Sequence, residues 1–238
     1  MSHQLVVDGL EQLRERLARV LEREALKAIA ARGRFSVALA GGSVASSYFA
    51  RLAAAGVEWS RTDFFWGDER AVSPDHPESN FGAARRLWLE PAGVPAARIH
   101  RMEAEAADPE RAALAYSETL AQVAGAPPRL DFVLLGLGAD GHVCSLFPGH
   151  PALREETRSV LAIHDSPKPP RRRLTLTLAV LTAARLVVVA ASGSRKGAVV
   201  REALEREDSA LPVSLLARGA RRLLFLLDVE AGRKARVR

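Results

Sequence analysis

The stretch Leu130–Gly149, LDFVLLGLGADGHVCSLFPG, decides how this chain is read. Phe132 to Leu135 is apolar at every position, the pattern of a parallel strand covered on both faces. Directly after it, Gly136, Gly138 and Gly141 free the backbone for a tight turn that holds Asp140 and His142 two residues apart. A buried strand ending in such a turn sets a polar pair at the C-terminal edge of a sheet, where open α/β folds bind their ligands. Pro148 and Gly149 stop whatever follows within about two helical turns.

The same three glycines spell G-x-G-x-x-G, the dinucleotide fingerprint. That motif needs a long helix opening at its third glycine, and an acidic residue about 20 positions on, after a further strand, to hold the ribose. Here Pro148 cuts the helix short, and Glu155 and Glu156 come too early in a polar stretch with no strand before them. No nicotinamide or flavin cofactor is expected, nor any other.

Outward from this segment, helical and strand patterns alternate, with no repeat and no low-complexity linker. Leu10, Leu13, Leu17, Val20, Leu21 and Leu26 recur near helical spacing and predict a long amphipathic helix over Leu10–Ala31. Strand-like runs stand at Phe35–Ala40, Asp63–Trp66, Leu130–Leu135, Arg173–Leu178, Leu186–Ala191 and Leu223–Leu227. Helical patterns at Ser46–Ala54, Asn80–Leu89, Pro109–Ala124 and Lys196–Glu205 separate many of them. The expectation is a single α/β domain over residues 1–238, an open, mainly parallel, Rossmann-like sheet with helices on both faces. The proline-rich loop Ser166–Pro170 reads as a surface excursion beside a site, because the strand after it looks central.

At 238 residues with 48% hydrophobic content the chain can bury a substantial core. No stretch approaches the about 18 continuous apolar residues of a membrane span, and MSHQLVVDG lacks a signal peptide's basic and apolar regions, so a cytoplasmic protein with no membrane partner is expected. One cysteine, Cys144, excludes an internal disulfide and a multi-cysteine zinc site. The net charge of +6 raises the question of nucleic acid. Of 34 basic residues 30 are arginine, scattered except for Arg171–Arg173, Arg221–Arg222 and the tail Arg233–Arg238, with no interleaved aromatics. Compositional bias accounts for that pattern, and no nucleic-acid partner is expected.

Four further segments put polar groups at strand ends. FSVALAGGS, Phe35–Ser43, is a strand followed by Gly41, Gly42 and Ser43 and then a helix, which offers backbone N–H groups and a hydroxyl to an anion or forms a plain βα turn. FFWGDER, Phe64–Arg70, ends a strand in two carboxylates and an arginine, a ligand edge or an exposed salt-bridged loop. RLTLT, Arg173–Thr177, starts a strand with an arginine and carries hydroxyls at alternate positions. SGSRK, Ser192–Lys196, is a second strand-to-helix turn, and a lysine in the first turn of a helix opposes the dipole unless an anion is bound.

Taken together, GGS at Gly41–Ser43, WGDERAVSPDHPESNFGAAR at Trp66–Arg85, LLGLGADGHVCSLFPG at Leu134–Gly149, RLTLTL at Arg173–Leu178 and SGSRK resemble the glucosamine-6-phosphate isomerase/6-phosphogluconolactonase family, and its lactonase branch in particular. The resemblance spans nearly the whole chain. It implies the family's Rossmann-like sheet and metal-free hydrolysis of 6-phosphoglucono-1,5-lactone to 6-phosphogluconate, the second step of the oxidative pentose phosphate pathway. Two departures stand out: Val44-Ala45 replaces the family's Thr-Pro after GGS, and Val143-Cys144 replaces Thr-Ala after the histidine.

Lactone hydrolysis needs a base for water, a stabiliser for the oxyanion and a clamp on the remote phosphate. His142, with an ordinary pKa of about 6.5, is the candidate base, and Asp140 is placed to orient it or to shape the turn. Arg70, Arg173 and Lys196 are candidate cations for phosphate and developing charge; Gly41, Gly42 and Ser43 form a candidate phosphate cradle, with Asp68 beside them as a substrate-binding residue. Cys144 is expected to be a buried core thiol, and His76, His150 and His164 lack ligand-like spacing with His142, so no metal is expected. The family's isomerase and deaminase branch carries a glutamate five residues after the histidine, where this chain has Phe147. A sugar-phosphate sensor without catalysis would have lost the base, which is present. The expected partner is a small sugar-phosphate lactone, met by a monomer.

Overall fold

The computed structural model describes residues 2–235; Met1 and the end of the basic tail, Arg236–Arg238, lie outside the described residues. The strands are β1 (Ser2–Val7), β2 (Phe35–Leu39), β3 (Thr62–Trp66), β4 (Asp68–Arg70), β5 (Phe132–Leu135), β6 (Val160–Ile163), β7 (Arg173–Leu176), β8 (Val187–Ala191) and β9 (Arg222–Leu227). The helices are α1 (Leu10–Arg32), α2 (Gly42–Ala53), α3 (Asn80–Ala84), α4 (Pro109–Ala124), α5 (Leu178–Ala183), α6 (Ser194–Glu205), α7 (Pro212–Gly219) and α8 (Val229–Ala235). None of them is long and apolar enough to cross a membrane.

Six strands form one parallel sheet in the order β1-β9-β8-β5-β2-β3. Every residue of β2, β3, β5 and β8 is buried; β5 and β8 are the unbroken apolar runs of strands covered on both faces, while Ser36 of β2 and Thr62 and Asp63 of β3 are buried polar residues. The six expected strands are all present. α4 has the expected bounds, set by the Asp108 side chain accepting from Arg111 N–H at 3.0 Å and by Pro109 in the first turn. The expected helix over Asn80–Leu89 is split: α3 runs into a wider π turn, Arg85–Leu89, that turns Trp88 into the core against Phe49 and Phe64, with centroids 5.2 and 5.5 Å apart.

One placement differs from the sequence expectation. β7 is central, but in a second sheet of three antiparallel strands, β4-β7-β6. Its alternation of leucine and threonine is the period-two pattern of a strand with two unlike faces, not the continuous run of β5 or β8. β4 reaches it because Gly67 alone separates β3 from β4, so one chain path leaves the large sheet and enters the small one.

Chain order reverses direction between β2 and β5. From β2 the chain adds β3 on one side, then crosses to β5 and adds β8 and β9 on the other. The crevice at such a switch point is where open α/β sheets bind ligands, and here it lies between the GGS turn and the Asp140–His142 turn. At the opposite end the two strands are pinned by Asp131, which accepts from the Ser36 N–H at 2.9 Å, Ser36 Oγ at 3.1 Å and Arg32 Nη2 at 2.6 Å. Asp131→Ala takes the acceptor from the buried Ser36 N–H and hydroxyl and breaks the Arg32 ion pair, and is expected to cost about 2–3 kcal/mol. Urea unfolding should show it as a lowered midpoint with an unchanged slope.

Candidate active site

The crevice is a cleft of about 260 Å³. It gathers Gly41, Gly42 and Ser43 from the β2–α2 turn, Asp68 and Arg70 from β4, His142, Arg173 from β7 and Lys196 from the first turn of α6. Asp140 stands behind His142. A larger concavity of about 320 Å³, between α1 and β9, is lined by Arg16, Arg19, Arg23 and Arg222 and contains no acid–base pair. Among the described residues no His, Cys, Asp and Glu side chains cluster as a metal ion would need.

His142 is held from three sides. Its Nδ1 lies 2.5 Å from Asp140 Oδ1, the Phe147 ring packs against it with centroids 4.8 Å apart, and Lys168 Nζ is 3.1 Å from Nδ1 and 3.0 Å from Asp140 Oδ2. Lys168 can only donate and a carboxylate can only accept, so the shorter contact, to Asp140, assigns the proton to Nδ1 and leaves the lone pair on Nε2, with the ammonium directed to Asp140 Oδ2. Nε2 has no hydrogen-bond partner among the described residues. Burial draws the imidazole below its ordinary pKa; Asp140 opposes this and Lys168 adds to it. For Asp140, burial alone would raise the carboxyl, but the His142 and Lys168 hydrogen bonds hold it at about 2. Gly138 makes the pairing possible: a Cβ there would meet His142 Nδ1 at 1.9 Å and Asp140 Oδ1 at 2.3 Å.

α2 begins at Gly42, four residues earlier than the helical pattern indicates, so the Ser43 hydroxyl and the helix's first N–H groups belong to the cleft wall. Val44 and Ala45, where the family has Thr-Pro, are both buried in the core. On the facing side Lys196 has its pKa lowered by burial, with Asp228 countering and Lys168 adding to the effect. Arg70 donates from Nη1 to the Glu78 carbonyl at 2.6 Å, and its buried Nε has no partner.

Arg173 and Asp68 line the cleft with their polar groups largely engaged. The buried Arg173 guanidinium donates from Nε to Pro170 O at 2.9 Å and from Nη2 to Lys168 O and Pro169 O, both at 3.1 Å; its Nη1 lies 3.4 Å from Ser145 Oγ and 3.9 Å from Asp68 Oδ2. It grips the proline-rich loop rather than presenting a free fork to a phosphate. Asp68 Oδ2 accepts from Ser145 Oγ at 2.7 Å, while Asn80 Nδ2 donates to the Asp68 carbonyl at 2.8 Å, which fastens β4 to the histidine turn and to α3. Sequence reasoning passed over Lys168 and Asn80; the loop had been placed beside a site, but only the fold shows which side chain it delivers. Cys144 also differs from expectation: it is half-buried, lies in the cleft wall, and has a positive φ of 51°.

Residues 8–225 match the family described as glucosamine-6-phosphate isomerases/6-phosphogluconolactonase. The chain belongs to this family. It is 42% identical to the 6-phosphogluconolactonase of Mycobacterium tuberculosis over 219 residues, 87% of each chain. The solved 6-phosphogluconolactonase of Trypanosoma brucei superposes with a TM-score of 0.86 at 30% identity, covering 99% of both chains. A monomeric glucosamine-6-phosphate deaminase shares the fold at a TM-score of 0.83 and 20% identity, over 98% of this chain and 100% of its own.

Burial first, and then the Asp68 charge, pushes the Cys144 thiol well above its ordinary range, so it has little thiolate at neutral pH. Iodoacetamide at pH 7.5 is expected to alkylate it at least about tenfold more slowly than free cysteine. Mass spectrometry of the time course checks this.

Proposed function

We propose that the protein is a 6-phosphogluconolactonase, hydrolysing 6-phospho-D-glucono-1,5-lactone to 6-phospho-D-gluconate in the oxidative pentose phosphate pathway. The proposal includes a cytoplasmic, single-domain monomer that needs neither cofactor nor metal and binds no nucleic acid. The observation that carries it is a histidine with a fixed Nδ1–H and a free Nε2 at one wall of a cleft that also contains a helix N-terminus, the Ser43 hydroxyl and Lys196.

In this reading Nε2 of His142 takes a proton from water as the water oxygen attacks the lactone carbonyl, and Asp140 stabilises the imidazolium that forms. Arg70, with its unpartnered Nε, offers charge to the developing oxyanion. When the ring C–O bond breaks, the imidazolium gives the proton to the departing ring oxygen, which becomes the 5-hydroxyl. Gly41, Gly42, Ser43 and Lys196 hold the phosphate, so that binding energy from a group that does not react orients the one that does.

The deaminase alternative requires a carboxylate where Phe147 stands. Phe147 is buried and packed on the imidazole, so no acidic group takes that place.

His142→Gln should keep the fold and lose about 10²–10⁴ in kcat, measured with fresh lactone and corrected for spontaneous hydrolysis; wild-type kcat in a folded variant would sink the assignment. Lys196→Ala should impair the phosphorylated lactone in both kcat and KM, by about 1.5–3 kcal/mol in kcat/KM, and leave slow gluconolactone hydrolysis almost untouched. Equal damage to both substrates would place the phosphate elsewhere. Because the neutral imidazole is the active form and its pKa is lowered, kcat/KM should hold as pH falls through about 6.5 and decline only below it.

A further inference from the structure

The loop Ser166–Pro170 brings a second cation to the dyad for which the reaction just described has no use. Lys168 Nζ is 3.0 Å from Asp140 Oδ2, the oxygen turned away from His142, and 6.0 Å above the centre of the Phe147 ring. The loop that carries it is bonded at every turn: Ser166 Oγ donates to Lys168 O at 2.8 Å, Lys168 N–H donates to Ser166 Oγ at 3.2 Å, and Arg173 donates to the carbonyls of Lys168, Pro169 and Pro170. Surface lysines are seldom fixed so thoroughly, since ordering the side chain costs rotamer entropy that a lone exposed ion pair barely offsets.

We propose that Lys168 is a positioning residue of this site: its ammonium occupies the outer oxygen of Asp140, so that Oδ1 alone faces Nδ1 of His142, and Arg173 is the strut that keeps Lys168 there. The inference rests on the reading of His142 as the base.

Two consequences follow from the geometry. Without Lys168, a carboxylate that is partly exposed can turn or take water on either oxygen, and the Nδ1–H tautomer loses its guide. The charge balance changes as well. An imidazolium at His142 sits 3.1 Å from the ammonium, so the cation offsets the attraction of Asp140 and favours the neutral ring. The other groups around the ring do not supply this. Asp68 acts in the opposite sense and is bonded to Ser145, the Cys144 thiol is held neutral by burial, Arg173 lies on the Phe147 ring at 5.7 Å, and Lys196 faces the cleft from α6. A less basic imidazole is a poorer base in the first half of the reaction and a better acid in the second, when the ring oxygen must be protonated.

The test uses Lys168→Met, which keeps the length and apolar stem, and Lys168→Arg, which keeps the charge. NMR titration of the His142 imidazole reads the effect without any substrate: in Lys168→Met the midpoint should rise by about one pH unit, and in Lys168→Arg it should stay near wild type. In the lactonase assay the acid limb of kcat/KM should move up by the same amount. That is a loss approaching tenfold only well below both midpoints; at pH 8.5, where both rings are neutral, the loss is the about two- to threefold that comes from the unguided tautomer, with KM for the phosphorylated lactone changed by less than about twofold. Ser166→Ala, which removes two of the loop's bonds, should shift the titration in the same direction by less, and this holds the strut to account if Arg173→Gln fails to fold. An unchanged His142 titration in folded Lys168→Met overturns the proposal. So does a rise in KM for the phosphorylated lactone with gluconolactone untouched, which would make Lys168 a phosphate ligand. If the titration moves as expected but no lactonase activity exists in the wild type, the functional reading fails and the placement of Lys168 stands.

Discussion

The Arg173 guanidinium joins the separate pieces of chain from which the site is made. It stands at the start of β7, buried, and its neighbours are the carbonyls of Lys168, Pro169 and Pro170, the Ser145 hydroxyl in the histidine turn, Asp68 on β4 and the face of Phe147. Taking such a charge out of water is unfavourable unless nearly all its donors find acceptors, so the acceptors must arrive together. The small antiparallel sheet, the proline loop and the turn after β5 are thereby made into one object. A site assembled from three loops acquires the rigidity usually found only on strands and helices.

The carboxylates around the cleft follow the same logic. Glu69 is buried and accepts from the N–H groups of Arg70, Asn80 and Phe81 and from Ser79 Oγ. Burial raises its pKa, and the three backbone donors pull against that rise. It shapes the segment between β4 and α3 and so aims Arg70 and Asn80. Asp68 is saturated by Ser145 and Asn80, and Asp140 by His142 and Lys168. Each negative charge is consumed within the wall, and the open donors belong to Arg70, Lys196 and the start of α2. A cleft with three carboxylates in its surroundings can therefore receive an anion.

Five strands of the large sheet were legible because each carries a mainly apolar run, a signal that depends on burial, whereas β1 was missed because its first half, Ser2–Gln4, is polar. β4 and β6 were missed as well: Asp68–Arg70 is polar, and Val160–Ile163 is too short for any period to show. The Asp140–His142 pair could be read from two residues among glycines, because a turn that tight fixes the distance between its own side chains. The partners of Arg173 could not be read. Its position at a strand start suggests a ligand contact, but the direction of its guanidinium depends on a loop whose course no local pattern reveals. Lys168 carries a faint signal as a lysine between prolines in a chain whose cations are nearly all arginine, and only the fold shows that it reaches Asp140. Cys144 was misplaced because a small apolar position in a motif says nothing of the positive φ that turns it to the cleft wall.

A deaminase with little sequence in common shares the fold, so the sheet by itself does not set the chemistry. In the proposed reading Phe147 marks the difference. Opening a sugar ring and moving protons between neighbouring carbons calls for a second acid–base group beside the histidine. Hydrolysing a lactone requires one proton to travel from water to the ring oxygen, and a single imidazole can carry it both ways. An aromatic ring in place of a carboxylate suits that task, because it removes water from one face of His142 and adds no charge that would hold the proton on the ring. The imidazole is then balanced by Asp140 on one side and Lys168 on the other, and either imbalance has a cost: too much negative charge would hold the proton on the imidazole, and too little would let the ring lose the tautomer that makes it a base.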